Sequence, residues 1–186
     1  MNLQELIANR RTVHDYRPGP LPEGAVERAV SAAMAAPNHR MTEPWRFVRV
    51  GPEARRALVG VSAALKGGAA ALGEPAMEKL RAKMLNPGEL LVVCQVLHPD
   101  PSVAAEDYAA VACAVQNAML SFASEGIGSK WSTGAVTTDV RTYSTLGIDP
   151  QLEKIVGFLW AGQALRDDLP KPRRRQGLAE VLRSVP

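Results

Sequence analysis

Residues 35–47, Ala35-Ala36-Pro37-Asn38-His39-Arg40-Met41-Thr42-Glu43-Pro44-Trp45-Arg46-Phe47, decide how this chain is read. An apolar helical face runs up to Met34. Pro37 disfavours helix at Ala36 and withholds an amide donor, so the helix is expected to stop there. A short polar loop follows, with Glu43-Pro44 and a turn into Trp45, and Phe47-Val48-Arg49-Val50 reads as a strand. A polar loop between a buried helix and a strand is a common place for ligand contacts, because rigid flanks hold its side chains in position. Taken alone, the same loop reads more readily as a solvated connector.

Toward the N-terminus, Pro22-Glu23 is expected to open the helix that ends at Met34, with proline in the first turn and an acid near the positive end. Val26, Ala29, Val30, Ala33 and Met34 form its apolar stripe. Further out, Leu3, Leu6 and Ile7 share one face of a short first helix, which runs into Arg10-Arg11-Thr12. Two guanidiniums and a hydroxyl leaving a helix can wrap an anion, since arginine presents a planar fork of donors. They suit a solvated helix end just as well, where the dipole favours cations.

Toward the C-terminus, Gly51-Pro52 ends the strand, and a helix over 53–65 closes at Gly67-Gly68. A further helix over about 75–85 turns Met77, Leu80 and Met84 inward; Lys79 and Lys83 either approach a cofactor or, as the better reading, lie on a solvated face. Asn86-Pro87-Gly88 signals a turn, and the apolar run over 90–97 reads as a buried strand. After a turn at His98-Pro99-Asp100-Pro101, residues 106–125 form the longest helix, apolar almost all round except at Gln116, Asn117, Ser121 and Ser124. Such a helix belongs at the centre of a fold and partly against a second subunit. Gly126 fits the left-handed position that closes it. The run over 126–134 sets three glycines around Trp131, either for close backbone approach to a flat ligand or as a plain turn into a strand. Thr138 is expected to cap a short helix ending at Gly147, and 154–161 reads as the last core strand. Prolines extend 170–175, so Arg173 and Arg175 share one side and Arg174 takes the other.

Composition bounds the rest. The 186 residues are most simply one domain, 1–186, long enough to bury a sizeable core. Twenty-two basic against 19 acidic residues give only +3, and aromatics are 5%, so a nucleic-acid partner is not expected. Cys94 and Cys113 sit in apolar stretches and read as two buried free thiols. No stretch reads as a signal peptide or membrane span, so the expected location is the cytoplasm. Neither GxGxxG nor a Walker-type loop occurs.

Four segments, in order, resemble the FMN-dependent nitroreductase family and its short single-domain members. They are Asn9-Arg10-Arg11-Thr12, the 35–47 stretch with its Ala-Pro and Pro-Trp-x-Phe, Glu125-Gly126-Ile127-Gly128-Ser129-Lys130-Trp131-Ser132-Thr133-Gly134, and Pro170-Lys171-Pro172-Arg173-Arg174-Arg175. The resemblance implies an α+β nitroreductase-like fold: a small, mostly antiparallel sheet of about four strands plus an exchanged one, flanked by helices. It implies a homodimer with an exchanged C-terminal segment and two FMN sites at the interface. It places Arg10, Arg11 and Thr12 on the FMN phosphate, ribityl chain and ring edge, and Trp131, Ser132 and Thr133 against the ring. Ala35, Asn38 and His39 would touch flavin, His39 reaching across to the other subunit's site, while Arg173 and Arg175 would hold the phosphate. His14 and Met41 depart from the basic residue and the asparagine usual in the family. The implied activity is electron transfer from NADH or NADPH through FMN to nitroaromatics, quinones or similar small acceptors, with no catalytic side chain assigned. Same-fold alternatives are reductive dehalogenation, flavin fragmentation and flavin binding without turnover.

Overall fold

The computed structural model describes residues 2–166 and 175–185. They open with α1 (Leu3–Asn9) and α2 (Ala25–Met34), followed by β1 (Trp45–Arg49). Three helices come next: α3 (Pro52–Ala64), α4 (Ala69–Leu72) and α5 (Glu74–Leu85). Strand β2 (Glu89–Val96) leads into α6 (Pro101–Ser124) and β3 (Gly128–Ser132). The order closes with α7 (Ala135–Thr138), α8 (Val140–Leu146), β4 (Glu153–Gly162) and α9 (Leu178–Val181).

The strands form one antiparallel sheet in the order β1-β2-β4-β3. Its two central strands are buried throughout 90–95 and 155–162, as a strand covered on both faces must be. Alternate side chains serve opposite faces. Leu91, Val93 and Leu159 pack with α2 and α6, whereas Leu90, Val92, Phe158 and Trp160 belong to the core that includes Leu58 of α3, Met84 of α5 and Tyr143 of α8. The β2–β4 register slips between Val93 and Cys94, leaving Val156 as an extra residue on β4. This bulge turns Gly157 toward Trp131 of β3. A Cβ at Gly157 would strike Trp131 Nε1 and come within 2.9 Å of the Ser132 carbonyl oxygen.

The chain after α1 lies along the β3 side of the sheet. Thr12 bridges to Ser129 in parallel, Val13 N donates to Ser129 O (3.1 Å), and Arg17 N donates to Gln163 O (2.9 Å). Gly128 makes this approach possible, because a Cβ there would lie 2.7 Å from Val13 Cγ2 and 3.2 Å from Gly162 O. The Arg10–Thr12 segment is thereby fixed against the sheet rather than trailing from it.

Several expectations are corrected. Helix α6 begins at Pro101 instead of 106, because Asp100 caps it by accepting from Ser102 N (2.8 Å) and Pro101 takes a first-turn position that needs no donor. Helix α2 begins at Ala25 with Gly24 left-handed before it, so Pro22 and Glu23 lie outside. Asp139, not Thr138, caps α8, and the four-residue α4 was not anticipated. Cys94 is buried but Cys113 is exposed. Cys113 belongs to a stripe of α6 facing away from the sheet, with Ala105, Tyr108 and Ala109. Other apolar residues also stand open: α1 buries none of its side chains, Leu3 and Ile7 are 66% and 51% exposed, and Met34 is 57% exposed. Among the described residues no helix is long and apolar enough to cross a membrane.

Candidate functional site

Arg10 and Arg11 divide their work. Arg11 Nη1 donates to Ala8 O (2.6 Å) and Arg10 O (2.8 Å), closing the carbonyl end of α1. Arg10 turns toward the body of the fold, and its Nη1 is buried without a hydrogen-bond partner. Burial, and then the neighbouring Arg11 charge, hold its pKa below the ordinary value. Both arginines line a 150 Å³ cleft together with Leu6, Val13, Gly128 and Ser129.

That corner holds a concentration of unmet polar atoms. Among the described residues five buried side-chain polar atoms lack partners, and two of them, Arg10 Nη1 and Ser129 Oγ, belong to residues lining this cleft. Buried polar groups are nearly always satisfied, so such a cluster marks a place for a ligand. A cationic fork beside a hydroxyl suits an anionic group, and the phosphate of FMN fits that description.

The other β3 residues present different surfaces. Trp131 lays its indole on Gly157, while Ser132 Oγ accepts a hydrogen bond from Trp160 Nε1 (2.8 Å), which fixes the hydroxyl and leaves its proton to donate elsewhere. Thr133 is exposed just beyond the end of β3, and Thr12, which bridges to Ser129 near the start of that strand, is exposed as well. Arg175 is exposed, and Arg173 lies outside the described residues.

The 35–44 loop is elsewhere. Ala35 ends α2 and is exposed. Asn38 Oδ1 accepts from Glu43 N (2.8 Å), holding a turn in which Met41 and Glu43 both take left-handed backbone (φ 51° and 47°). Glu106 of α6 receives His39 Nδ1 at 3.1 Å and Arg40 Nε at 2.9 Å, which lowers the Glu106 pKa, and Thr42 donates to buried Asp107. The loop is thus fastened to the N-terminal part of α6, whereas the Arg10 cleft also takes in Ala123 at the far end. Seventeen helical residues separate 106 from 123, about 25 Å. Asn38 and His39 therefore do not meet Arg10 within one chain.

On the opposite side of the 12–16 segment a second cleft, 490 Å³, is lined by His14, Asp15, Lys79, Lys83 and Lys130 among others. Burial followed by Lys66 lowers the pKa of Lys83, and burial followed by Lys83 lowers that of Lys130. Lys79 and Lys83 are both exposed, as a solvated face requires, and stand at the rim of this cleft. Their four-residue spacing showed that they share a side of α5, but only the tertiary fold brings Lys130 to them. No group of three or more His, Cys, Asp or Glu among the described residues is placed to hold a metal.

The family model described as the nitroreductase family matches residues 7–163. YfhC of Bacillus subtilis (strain 168), which bears the name "Putative NAD(P)H nitroreductase", is 29% identical over 176 residues, covering 93% of this chain and 89% of YfhC. A nitroreductase-like family protein from Bacillus cereus has a structure similar to this one with a TM-score of 0.85, at 24% identity, over 100% of this chain and 96% of that one. A nitroreductase from Bacteroides fragilis NCTC 9343, crystallised with bound FMN, superposes with a TM-score of 0.75 at 22% identity, over the whole of both chains. These two structural likenesses are of fold. With its four antiparallel strands between two helical layers and a family match across most of its length, the chain belongs to the nitroreductase family and has a nitroreductase-like α+β fold.

Proposed function

We propose that this protein is a homodimeric FMN-dependent oxidoreductase that draws electrons from NADH or NADPH and passes them to nitroaromatic, quinone or similar small acceptors in the cytoplasm. The observation that carries the reading is the unpartnered, buried guanidinium nitrogen of Arg10 in one cleft with Ser129, whose hydroxyl is likewise unpartnered. The FMN bound in the Bacteroides fragilis structure and the NAD(P)H in the name of YfhC support it. When bound, FMN supplies the hydride and electron chemistry, so no acid–base triad is required of the protein.

The side chains have binding and positioning work. Arg10, with Arg173 and Arg175, neutralises the phosphate; Arg11 holds the end of α1 and so aims Arg10. Thr12 and Thr133 offer hydroxyls at the rim, and Trp131 with Ser132 forms the wall against the ring. Trp160 keeps the Ser132 hydroxyl in one orientation through its 2.8 Å bond. Ala35, Asn38 and His39, about 25 Å along α6 from the Arg10 cleft, complete the site of a second copy. The open apolar stripe of α6 and the uncovered Leu3 and Ile7 of α1 give the two copies a surface to bury. Among the described residues nothing pairs with the outer edge of β1, which leaves room for an exchanged C-terminal segment.

Anaerobic titration tests the reading. The purified protein should be yellow or become so with FMN, and NADH or NADPH should bleach the flavin band, with the colour restored by a nitroaromatic or quinone. A protein that takes up no FMN, or whose flavin neither nicotinamide reduces, would refute it.

A further inference from the structure

Among the described residues Asp107 of α6 is the one buried carboxylate, 2% exposed. Taking a carboxylate out of water is costly unless it is hydrogen-bonded, and the Thr42 hydroxyl, 65 positions away in the chain, donates to it. Glu106, the preceding residue, receives His39 Nδ1 and Arg40 Nε from the same loop. Two adjacent carboxylates of one helix thus hold three side chains of one short turn.

That turn is strained. Met41 and Glu43 are the two non-glycine residues among those described with left-handed φ, and neither is an asparagine or aspartate, the types that adopt it most readily. Such backbone persists only where its surroundings over-determine it, and it gathers at ligand clamps. Met41 is 83% exposed, so its side chain adds little packing. The loop ends are fixed without the clasp: Ala36 N donates to Ala33 O (3.0 Å) and Val96 N to Pro44 O (2.7 Å). What the clasp fixes is the shape of 38–43. Asn38 donates to the Thr42 hydroxyl (3.1 Å), so Thr42 stands between Asn38 and Asp107. Glu106 takes His39 Nδ1, which leaves Nε2 as the ring nitrogen for a ligand.

Building on the two-copy flavin site proposed above, we propose that Asp107, with Glu106 beside it, is a positioning residue for the flavin site of the second copy. It holds Thr42, and through Thr42 the strained 38–43 turn, in the shape that presents Asn38 and His39 to the flavin. A turn that takes this shape for only part of the time weakens the apparent affinity by that fraction.

The test measures FMN binding to the full-length dimer by fluorescence quenching. Thr42→Val keeps the side-chain shape and removes the hydroxyl, and it should weaken FMN about tenfold, the worth of one hydrogen bond to a charged group. Asp107→Ala should do the same, and Asp107→Asn, which keeps an oxygen for Thr42, should recover most of that loss. Heterodimers of a Thr42→Val chain with an Arg10→Met chain separate positioning from support of the fold. They should keep one full-affinity site, in which the Thr42→Val chain supplies an intact Arg10 and its partner an intact loop. Heterodimers with no full-affinity site would show that Thr42→Val damages its own chain, and would overturn the proposal. Wild type and Thr42→Val binding FMN equally well sinks this inference alone. Wild-type protein that takes up no FMN sinks the oxidoreductase reading with it.

Discussion

Replacing Arg10 with methionine should push the apo and flavin-bound proteins in opposite directions. Methionine keeps an aliphatic stem of similar reach and removes the charge. In the apo protein Arg10 Nη1 is buried with no partner, and an unsatisfied group of this kind costs about 1–3 kcal/mol when fully buried. The Arg10 side chain is only partly buried, so Arg10→Met should leave apo stability unchanged or raise it by up to about 1 kcal/mol. With FMN the sign reverses. One charge-assisted pair to phosphate contributes about 1.5–3 kcal/mol, which weakens FMN roughly tenfold to a hundredfold. At a flavin concentration of about 100 Kd the wild-type protein gains about 2.7 kcal/mol, and the variant should forgo about half or more of that gain. Urea unfolding without ligand, with FMN and with riboflavin measures all three states. Riboflavin, lacking the phosphate, should stabilise wild type and variant alike. A variant that loses more than about 1 kcal/mol without ligand, or loses FMN and riboflavin affinity equally, would show that Arg10 supports the fold and not a phosphate.

Gly157→Ala should destabilise by about 1–3 kcal/mol in the same assay, since the new methyl meets the Trp131 indole; unchanged stability would mean the β3–β4 packing yields freely. Burial, with the Glu153 charge nearby, pushes the Cys94 thiol up to about 12, so a thiol reagent should leave it unlabelled in the native protein at neutral pH. Cys113, exposed on the α6 stripe, should label quickly in monomer at high dilution and slowly in dimer; concentration-independent labelling would place the interface elsewhere. Arg141, through its side chain and then its backbone N–H, holds the Asp139 carboxyl at about 2, against 3.8 when unperturbed. Its stabilising effect should therefore be complete above pH 3.8 and vanish as pH falls through 2. Asp139→Asn should flatten the unfolding curve in that window, and an unaltered acid limb would show the cap to be inconsequential.

Much of this fold could be read from local pattern. The unbroken apolar run near 90–97 became β2 because a strand covered on both faces needs no alternation, and Pro37 did mark the end of α2. Local signals were sometimes present but outweighed by others: Asp100-Pro101 is a cap followed by a first-turn proline, yet beside Pro99 it resembles a turn. Cys113 shows a different limit. A helix apolar all round gives no period from which to tell the face that meets the sheet from the face left open. At the site, Arg10 and Arg11 look interchangeable in sequence, and only tertiary structure assigns one to the end of α1 and the other to the cleft. That Lys130 lines one cleft with Lys79 and Lys83 depends on tertiary structure joining residues some fifty positions apart, which no local pattern encodes.

The claim on which the rest depends is that each flavin site is assembled from two copies of the chain, Arg10 from one and the 38–39 loop from the other. Mixed dimers test it most directly. Arg10→Met on one tagged chain and Asn38→Ala with His39→Ala on a differently tagged chain should each give homodimers with two weakened FMN sites. Co-purified heterodimers should recover one full-affinity site per dimer, because one interface pairs an intact Arg10 with an intact loop while the other combines both lesions. Heterodimers in which neither site regains wild-type affinity would contradict the account, since a site contained within one chain would leave every copy defective.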